Sequence, residues 1–292
     1  MNNTQFPELS AHAKIFFFRV CGTLMGTAAG LLKDMGYDVT GADYTFYPPM
    51  STYLSDKKIN LVSMDTLSEE YLATFDLIVV GNSLSGSSEH ARLIERSKAP
   101  FASAPKTLGE LLLKNRTTIG VCGTHGKTTT TYLMVQIMKN LGINPGYLIG
   151  GVLPDDESSA ELGISPYFVI EADEYDSCYF EKFSKFHLYH LKHAILTSLE
   201  FDHADIFNSL EDIEKEFDNL LKTKLESVIY CSDYSSLNAL ARNHSHIKNK
   251  MSYHAQIISN TSSSSKFEVH YQDTSYVFET SLVGAHNIAN LT

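Results

Sequence analysis

The sequence predicts an α/β protein, with an N-terminal Rossmann-like parallel-sheet domain followed by a central phosphate-loop α/β domain that carries an added β-rich segment. Three observations predict it. Over the first 115 residues, apolar strand-like runs alternate with helical ones. Residues 117–141 read as strand, glycine loop and helix. The length, 292 residues, suits two α/β domains better than one small core.

In the first domain, a strand is expected over 14–20 and a helix over 25–35, stopped by Gly36. Further strands follow over 37–41 and 76–80, with a helix over about 88–96. Pro100 and Pro105 interrupt before a short helix over 108–114, and the boundary is placed between 115 and 116. In the second domain, strand 117–122 enters Gly123-Thr-His-Gly126-Lys127-Thr128. The following helix has Leu133, Met134, Ile137, Met138 and Leu141 on its expected apolar face, with Gly142 as its stop. Strands over 167–170, 194–198 and 227–231 and helices over 210–221 and 235–242 complete the pattern. Two β-rich runs, 266–271 and 276–282, come after a polar loop over 259–265.

Composition narrows the function. With 43% hydrophobic and 20% charged residues the chain is an ordinary globular one, and its net charge of −11 argues against a nucleic-acid surface. No apolar run approaches the roughly 20 residues of a membrane helix, and residues 1–14 lack the apolar core of a signal peptide. Cys21, Cys122, Cys178 and Cys231 are widely spaced and suit free thiols in a reducing cytoplasm.

Chemistry concentrates in three segments. The loop ending Gly126-Lys127-Thr128 has the layout that converges backbone N–H groups on phosphates, with Lys127 for charge and Thr128 for Mg²⁺. The spacing G-x-x-x-x-G-K-[ST] is met except at its first position, where Val121 stands one residue after Gly120. The strand 167–170 ends in Glu171-Ala-Asp173-Glu174-Tyr-Asp176, four carboxylates that repel one another unless a cation or basic groups offset them. The strand 194–198 likewise delivers Asp202-His203-Ala-Asp205 to its carboxyl end. Near the N-terminus, Cys21-Gly22-Thr23-Leu24-Met25-Gly26 follows a strand and opens a helix, with Asp43 about 20 residues on; this is a partial dinucleotide fingerprint. His187, His190 and His193 share neither a helix face nor a strand face and are not read as a zinc site.

Together these residues resemble the Mur ligase family, ATP-dependent ligases that extend cell-wall precursor peptides. The resemblance implies an ATP site of Gly123, Thr124, His125, Gly126, Lys127, Thr128 and Thr129, with His286, Asn287 and Asn290 on the adenine side. It implies Mg²⁺ held by Thr128, Glu171 and His203, with Lys127, Glu171 and His203 serving catalysis. It implies a UDP-sugar site of Cys21, Gly22, Thr23, Leu24, Met25, Asp43, Asn82 and Ser83. Tyr47-Pro-Pro-Met-Ser51, Gly81-Asn82 and 199–207 resemble the branch that joins L-Ala-γ-D-Glu-meso-diaminopimelate to UDP-N-acetylmuramate in peptidoglycan recycling. The alternatives are a UDP-N-acetylmuramate–L-alanine ligase, a non-catalytic nucleotide-binding module and a Rossmann oxidoreductase.

The family pattern is departed from at four points. Arg19 replaces a small residue, which lessens the expected diphosphate contacts. Ser198 replaces an asparagine, so no role is assigned to its side chain. No lysine near Phe217 matches the carbamylated one of other branches. Family members carry a third, peptide-binding domain, and a chain stopping at Thr292 is expected to lack it and to be inactive in ligation by itself.

Overall fold

The computed structural model describes residues 6–151, 153, 158–201, 207, 209–254, 256–271 and 274–292. The fold is mixed α/β, as the sequence predicts, and parts into two compact units.

The first unit comprises Met1–Asn115, Gly146–Gly163 and Asp176–Tyr189. Its parallel sheet is built from β1 (Lys14–Phe18), β2 (Asp38–Asp43), β3 (Asn60–Ser63), β4 (Leu77–Val80) and β5 (Phe101–Ser103) in the order β3-β2-β1-β4-β5. Phe16, Phe17 and Phe18 on β1 are fully buried, because a central parallel strand is covered on both faces and therefore reads as a continuous apolar run. Phe16 and Phe18 pack with Leu72, Phe75, Ile78, Val80 and Ile94 in one core cluster.

The helices of this unit are α1 (Thr23–Asp34), α2 (Met50–Asp56), α3 (Glu69–Leu72), α4 (Glu89–Ser97) and α5 (Ala104–Leu108). Helix α4 starts where Ser88 accepts the Ala91 N–H, and it buries Ala91 and Ile94. Gly26 on α1 admits α2: a Cβ there would lie 2.2 Å from Met50 Sδ and 2.9 Å from the Val20 carbonyl. The order β3-β2-β1-β4-β5 reverses direction between β1 and β4. The loop after β1 and the turn after β4, at Asn82 and Ser83, therefore both leave the carboxyl edge at the switch point.

One helix differs from expectation. Where 108–114 was expected to be helical after a proline break, Pro105 lies in the first turn of α5, and a π-helical turn, Gly109–Leu113, follows. A first-turn proline removes no helical hydrogen bond, so it starts this helix rather than interrupting it. Two later segments also group with this unit, β7 (Gly146–Leu148) with β8 (Ala160–Glu161), and β10 (Asp176–Cys178) with β11 (Glu181–Ser184). Cys178 joins the core cluster and Ser103 donates to Glu181.

The second unit comprises Arg116–Pro145, Ile164–Tyr175 and His190–Thr292. Its parallel strands are β6 (Thr117–Cys122), β9 (Tyr167–Glu171), β12 (His193–Leu196), β13 (Ser227–Cys231) and β14 (Asn249–Tyr253), in the order β14-β13-β12-β6-β9. Helix α6 (Lys127–Asn140) leaves β6 through the glycine loop. Helix α7 (Leu210–Leu221) is capped by Ser209 and buries Ile213, Phe217, Leu220 and Leu221, and α8 (Ser235–Asn243) follows β13. An antiparallel sheet of β15 (Gln256–Asn260), β16 (Ser265–Tyr271) and β17 (Thr274–Thr280) precedes α9 (Ala285–Leu291). The expected loop over 259–265 is thus shorter: β15 runs to Asn260 and β16 starts at Ser265, while Thr261 hydrogen-bonds to Ser264 across the turn.

The face of α6 is corrected in part. Met138 is buried as expected, but Ile137 is 52% exposed and Leu141 70%, while Lys127, Thr130, Thr131 and Val135 are buried. Lys127 is turned inward, and the residues three, four, eight and eleven positions on share its face of the helix. Among the described residues no helix is long and apolar enough to cross a membrane, and all four cysteines are buried and free.

Candidate nucleotide site

Strand β6 lies between β12 and β9, so the loop at its end takes its partners from the ends of both neighbours. Gly123 (φ +144°) and Gly126 (φ +81°) occupy backbone conformations that favour glycine. A Cβ at Gly123 would lie 2.2 Å from Thr197 Oγ1, and one at Gly126 would lie 2.3 Å from Asn290 Oδ1.

From the β12 side, Thr197 and Ser198 brace the loop. Thr197 Oγ1 donates to the carbonyl of His125 (2.5 Å), and Ser198 Oγ accepts the His125 N–H (2.7 Å). Ser198 Oγ also lies 3.1 Å from Thr124 Oγ1, which accepts the Glu200 N–H (3.2 Å). Ser198, assigned no role from sequence, therefore shapes the loop backbone. The signal for it was its place two residues after the end of a strand adjacent to the loop.

From the β9 side come the acids. Thr128 Oγ1 donates to Glu171 Oε1 at 2.9 Å. Lys127, only 8% exposed, donates from Nζ to the Gly123 carbonyl at 2.6 Å and to both oxygens of Glu174 at 3.2 and 3.1 Å. Asp173 stands 3.8 Å from the same nitrogen. The four carboxylates thus divide: Glu171 faces Thr128, Asp173 and Glu174 face Lys127, and Asp176 pairs with Lys182 (2.9 Å) at the start of β10. Cys122, under the loop, has its thiol pushed far up, first by burial and then by the Glu174 charge, so it stays neutral.

Of the expected ATP residues, Gly123, Thr124, His125, Gly126, Lys127, Thr128 and Thr129 form the loop and the first turn of α6. Asn290 on α9 reaches Gly126, while His286 and Asn287 lie at the start of that helix. His203, like Asp202 and Asp205, lies outside the described residues. Among the described residues no group of three or more His, Cys, Asp or Glu is arranged to hold a metal. Thr128 and Glu171 bring two hard oxygen donors together, the type that Mg²⁺ takes.

The expected UDP-sugar residues fall within the first unit. Gly22 precedes α1, Thr23, Leu24 and Met25 form its first turn, and Asn82 and Ser83 are exposed after β4. Asp43, at the end of β2, is buried and accepts the N–H groups of Cys21 (3.0 Å) and Tyr44 (2.9 Å). Arg19 Nε lies 3.2 Å from the same carboxylate, and its guanidinium sits 5.1 Å from the Tyr44 ring centre. The Asp43 side chain is therefore committed to bracing the loop after β1.

Comparison with known proteins assigns both halves. Residues 121–292 match the Mur ligase middle domain, and residues 14–116 match the catalytic domain of the Mur ligase family. The chain belongs to the Mur ligase family. The UDP-N-acetylmuramate–L-alanyl-gamma-D-glutamyl-meso-2,6-diaminoheptandioate ligase of Haemophilus influenzae is 39% identical over 225 residues, covering 77% of this chain and 49% of that protein. The ligase of the same name from Escherichia coli is 42% identical over 209 residues, covering 72% and 46%. The chain therefore spans about half the length of these Mur ligase relatives. The crystal structure of UDP-N-acetylmuramate:L-alanyl-gamma-D-glutamyl-meso-diaminopimelate ligase from Neisseria meningitides superposes with a TM-score of 0.86 at 32% identity, covering 96% of this chain and 91% of that one.

Proposed function

We propose that the protein is a cytoplasmic ATP-dependent ligase that joins L-Ala-γ-D-Glu-meso-diaminopimelate to UDP-N-acetylmuramate in peptidoglycan recycling. The observation that carries this reading is the arrangement at the carboxyl ends of β6 and β9, where Lys127 is turned into the loop and Thr128 Oγ1 meets Glu171 at 2.9 Å. The tripeptide is taken from the names of the two relatives at 39% and 42% identity. In this reading residues 1–115 hold the UDP-sugar and residues 116–292 hold ATP.

The reaction follows from the chemistry of a carboxylate. The lactyl carboxylate of UDP-N-acetylmuramate attacks the γ-phosphorus of ATP, releasing ADP and forming an acyl phosphate. The peptide amine then attacks the acyl carbon, phosphate leaves, and an amide remains. The protein supplies position and charge. Lys127 faces the β- and γ-phosphates, and Gly123 to Thr129 wrap them with backbone N–H groups. Mg²⁺, when bound by Thr128, Glu171 and His203, neutralises phosphate charge. His286, Asn287 and Asn290 border the adenine. The loop from Cys21 to Met25, with Asn82 and Ser83, holds the UDP-sugar, and Asp43 sets that loop.

Calorimetry with the 292-residue chain tests the reading. ATP with Mg²⁺ and UDP-N-acetylmuramate should each bind without the other, and NADH should not bind. Binding of NADH in place of the UDP-sugar would return the protein to the oxidoreductases. In a ligation assay with the whole enzyme, followed by mass spectrometry, incorporation of L-alanine rather than the tripeptide would assign it to the L-alanine-adding ligases.

A further inference from the structure

We propose that Glu174 is an internal counter-ion of Lys127 that makes nucleotide binding depend on a divalent cation. The proposal rests on the reading of residues 123–128 as the ATP loop. Glu171 and Glu174 stand three residues apart but face different groups. Glu171 ends β9 opposite Val121 and receives the Thr128 hydroxyl, whereas Glu174 is 1% exposed with both carboxylate oxygens within 3.2 Å of Lys127 Nζ.

The consequence is electrostatic. The Lys127 ammonium has three protons, and the Gly123 carbonyl and the two Glu174 oxygens offer three close acceptors. A phosphate arriving at Nζ must displace or share Glu174, and that carboxylate then faces phosphate oxygens in a site shielded from water, where like charges repel most strongly. Asp173 stands 3.8 Å from the same nitrogen, so two carboxylates face Lys127 before the nucleotide enters. A divalent cation carried in with the phosphates offsets the repulsion between them and the phosphate oxygens. Glu174 thus acts as a positioning residue: it keeps Lys127 folded onto the loop in the empty site, and it opposes nucleotide that arrives without metal.

The test is calorimetric titration of ADP and ATP into the 292-residue chain, in Mg²⁺ and in EDTA, for wild type, Glu174→Gln and Glu174→Asp, with circular dichroism confirming the fold. Wild type should lose at least about tenfold in affinity when Mg²⁺ is removed, the scale of one charge-assisted contact. Glu174→Gln should tighten metal-free binding about tenfold while changing metal-bound affinity far less. Glu174→Asp, which keeps the charge, should retain the wild-type dependence on metal. Equal weakening of both titrations in Glu174→Gln would mean a purely structural role and overturn the proposal. Wild-type affinity independent of Mg²⁺ would overturn it without any variant. A wild type that binds no nucleotide even with Mg²⁺ would overturn the ATP-loop reading, and this inference with it.

Discussion

Replacing Lys127 with alanine probes stability and binding together. The ammonium is buried, bonded to the Gly123 carbonyl and paired with Glu174, which is itself 1% exposed. Its removal leaves the Glu174 carboxylate in place without this counter-ion. Removing one partner of a buried pair destabilises by about 3–5 kcal/mol, a large share of the roughly 5–15 kcal/mol that holds a domain. For a unit of this size each kcal/mol moves the melting point by about 2–4 °C, so Lys127→Ala should melt roughly 6–20 °C below wild type. The pair acts as one unit, so Lys127→Met combined with Glu174→Gln should recover most of that loss. Urea denaturation should show a lower midpoint at unchanged slope. Two results would refute the argument: Lys127→Ala melting within about 2 °C of wild type, or a double variant whose losses simply add. In the folded fraction, ATP affinity should also fall roughly ten- to a hundredfold, because a charge-assisted phosphate contact is gone.

Gly126→Ala should cost more than Gly142→Ala: both residues have positive φ, but a Cβ at Gly126 meets Asn290 Oδ1 at 2.3 Å, whereas the space at Gly142 is open. The strain of φ alone is about 1–2 kcal/mol, so equal melting shifts for the two would remove Asn290 from the loop. Ser198→Ala removes the hydroxyl that accepts the His125 N–H and should cost about 1 kcal/mol and weaken ATP binding; unchanged affinity by calorimetry would confine Ser198 to scaffolding. Burial pushes the Cys178 thiol up to about 12, while an unfolded thiol ionises near 8.5. Below that pH the contribution is fully present. Above it the folded state binds more protons, so stability should fall with rising pH, by up to about 1.4 kcal/mol per unit per thiol, until Cys178 itself ionises. Denaturation midpoints between pH 8 and 10 should show the fall, and Cys178→Ala should make it shallower.

Features that depend on residues within a turn or two of each other were legible in the chain itself. Strand β6, its glycine loop and the start of α6 follow from local order, and the span of α7 follows from the Ser209 cap and the spacing of Ile213, Phe217 and Leu220. The β1 run of phenylalanines announced a strand covered on both faces. The partners of the loop were not legible. Lys127 meets Glu174 across 47 residues of chain, and His125 meets Ser198 across 73. Both meetings exist because the sheet places β6 between β9 and β12. The same long-range packing turned Lys127 inward and left Ile137 and Leu141 on the surface, against their hydrophobicity. It also committed Asp43 to the Cys21 and Tyr44 N–H groups. Strand order is set by burying apolar faces over the whole unit, and no window of neighbouring residues contains that information.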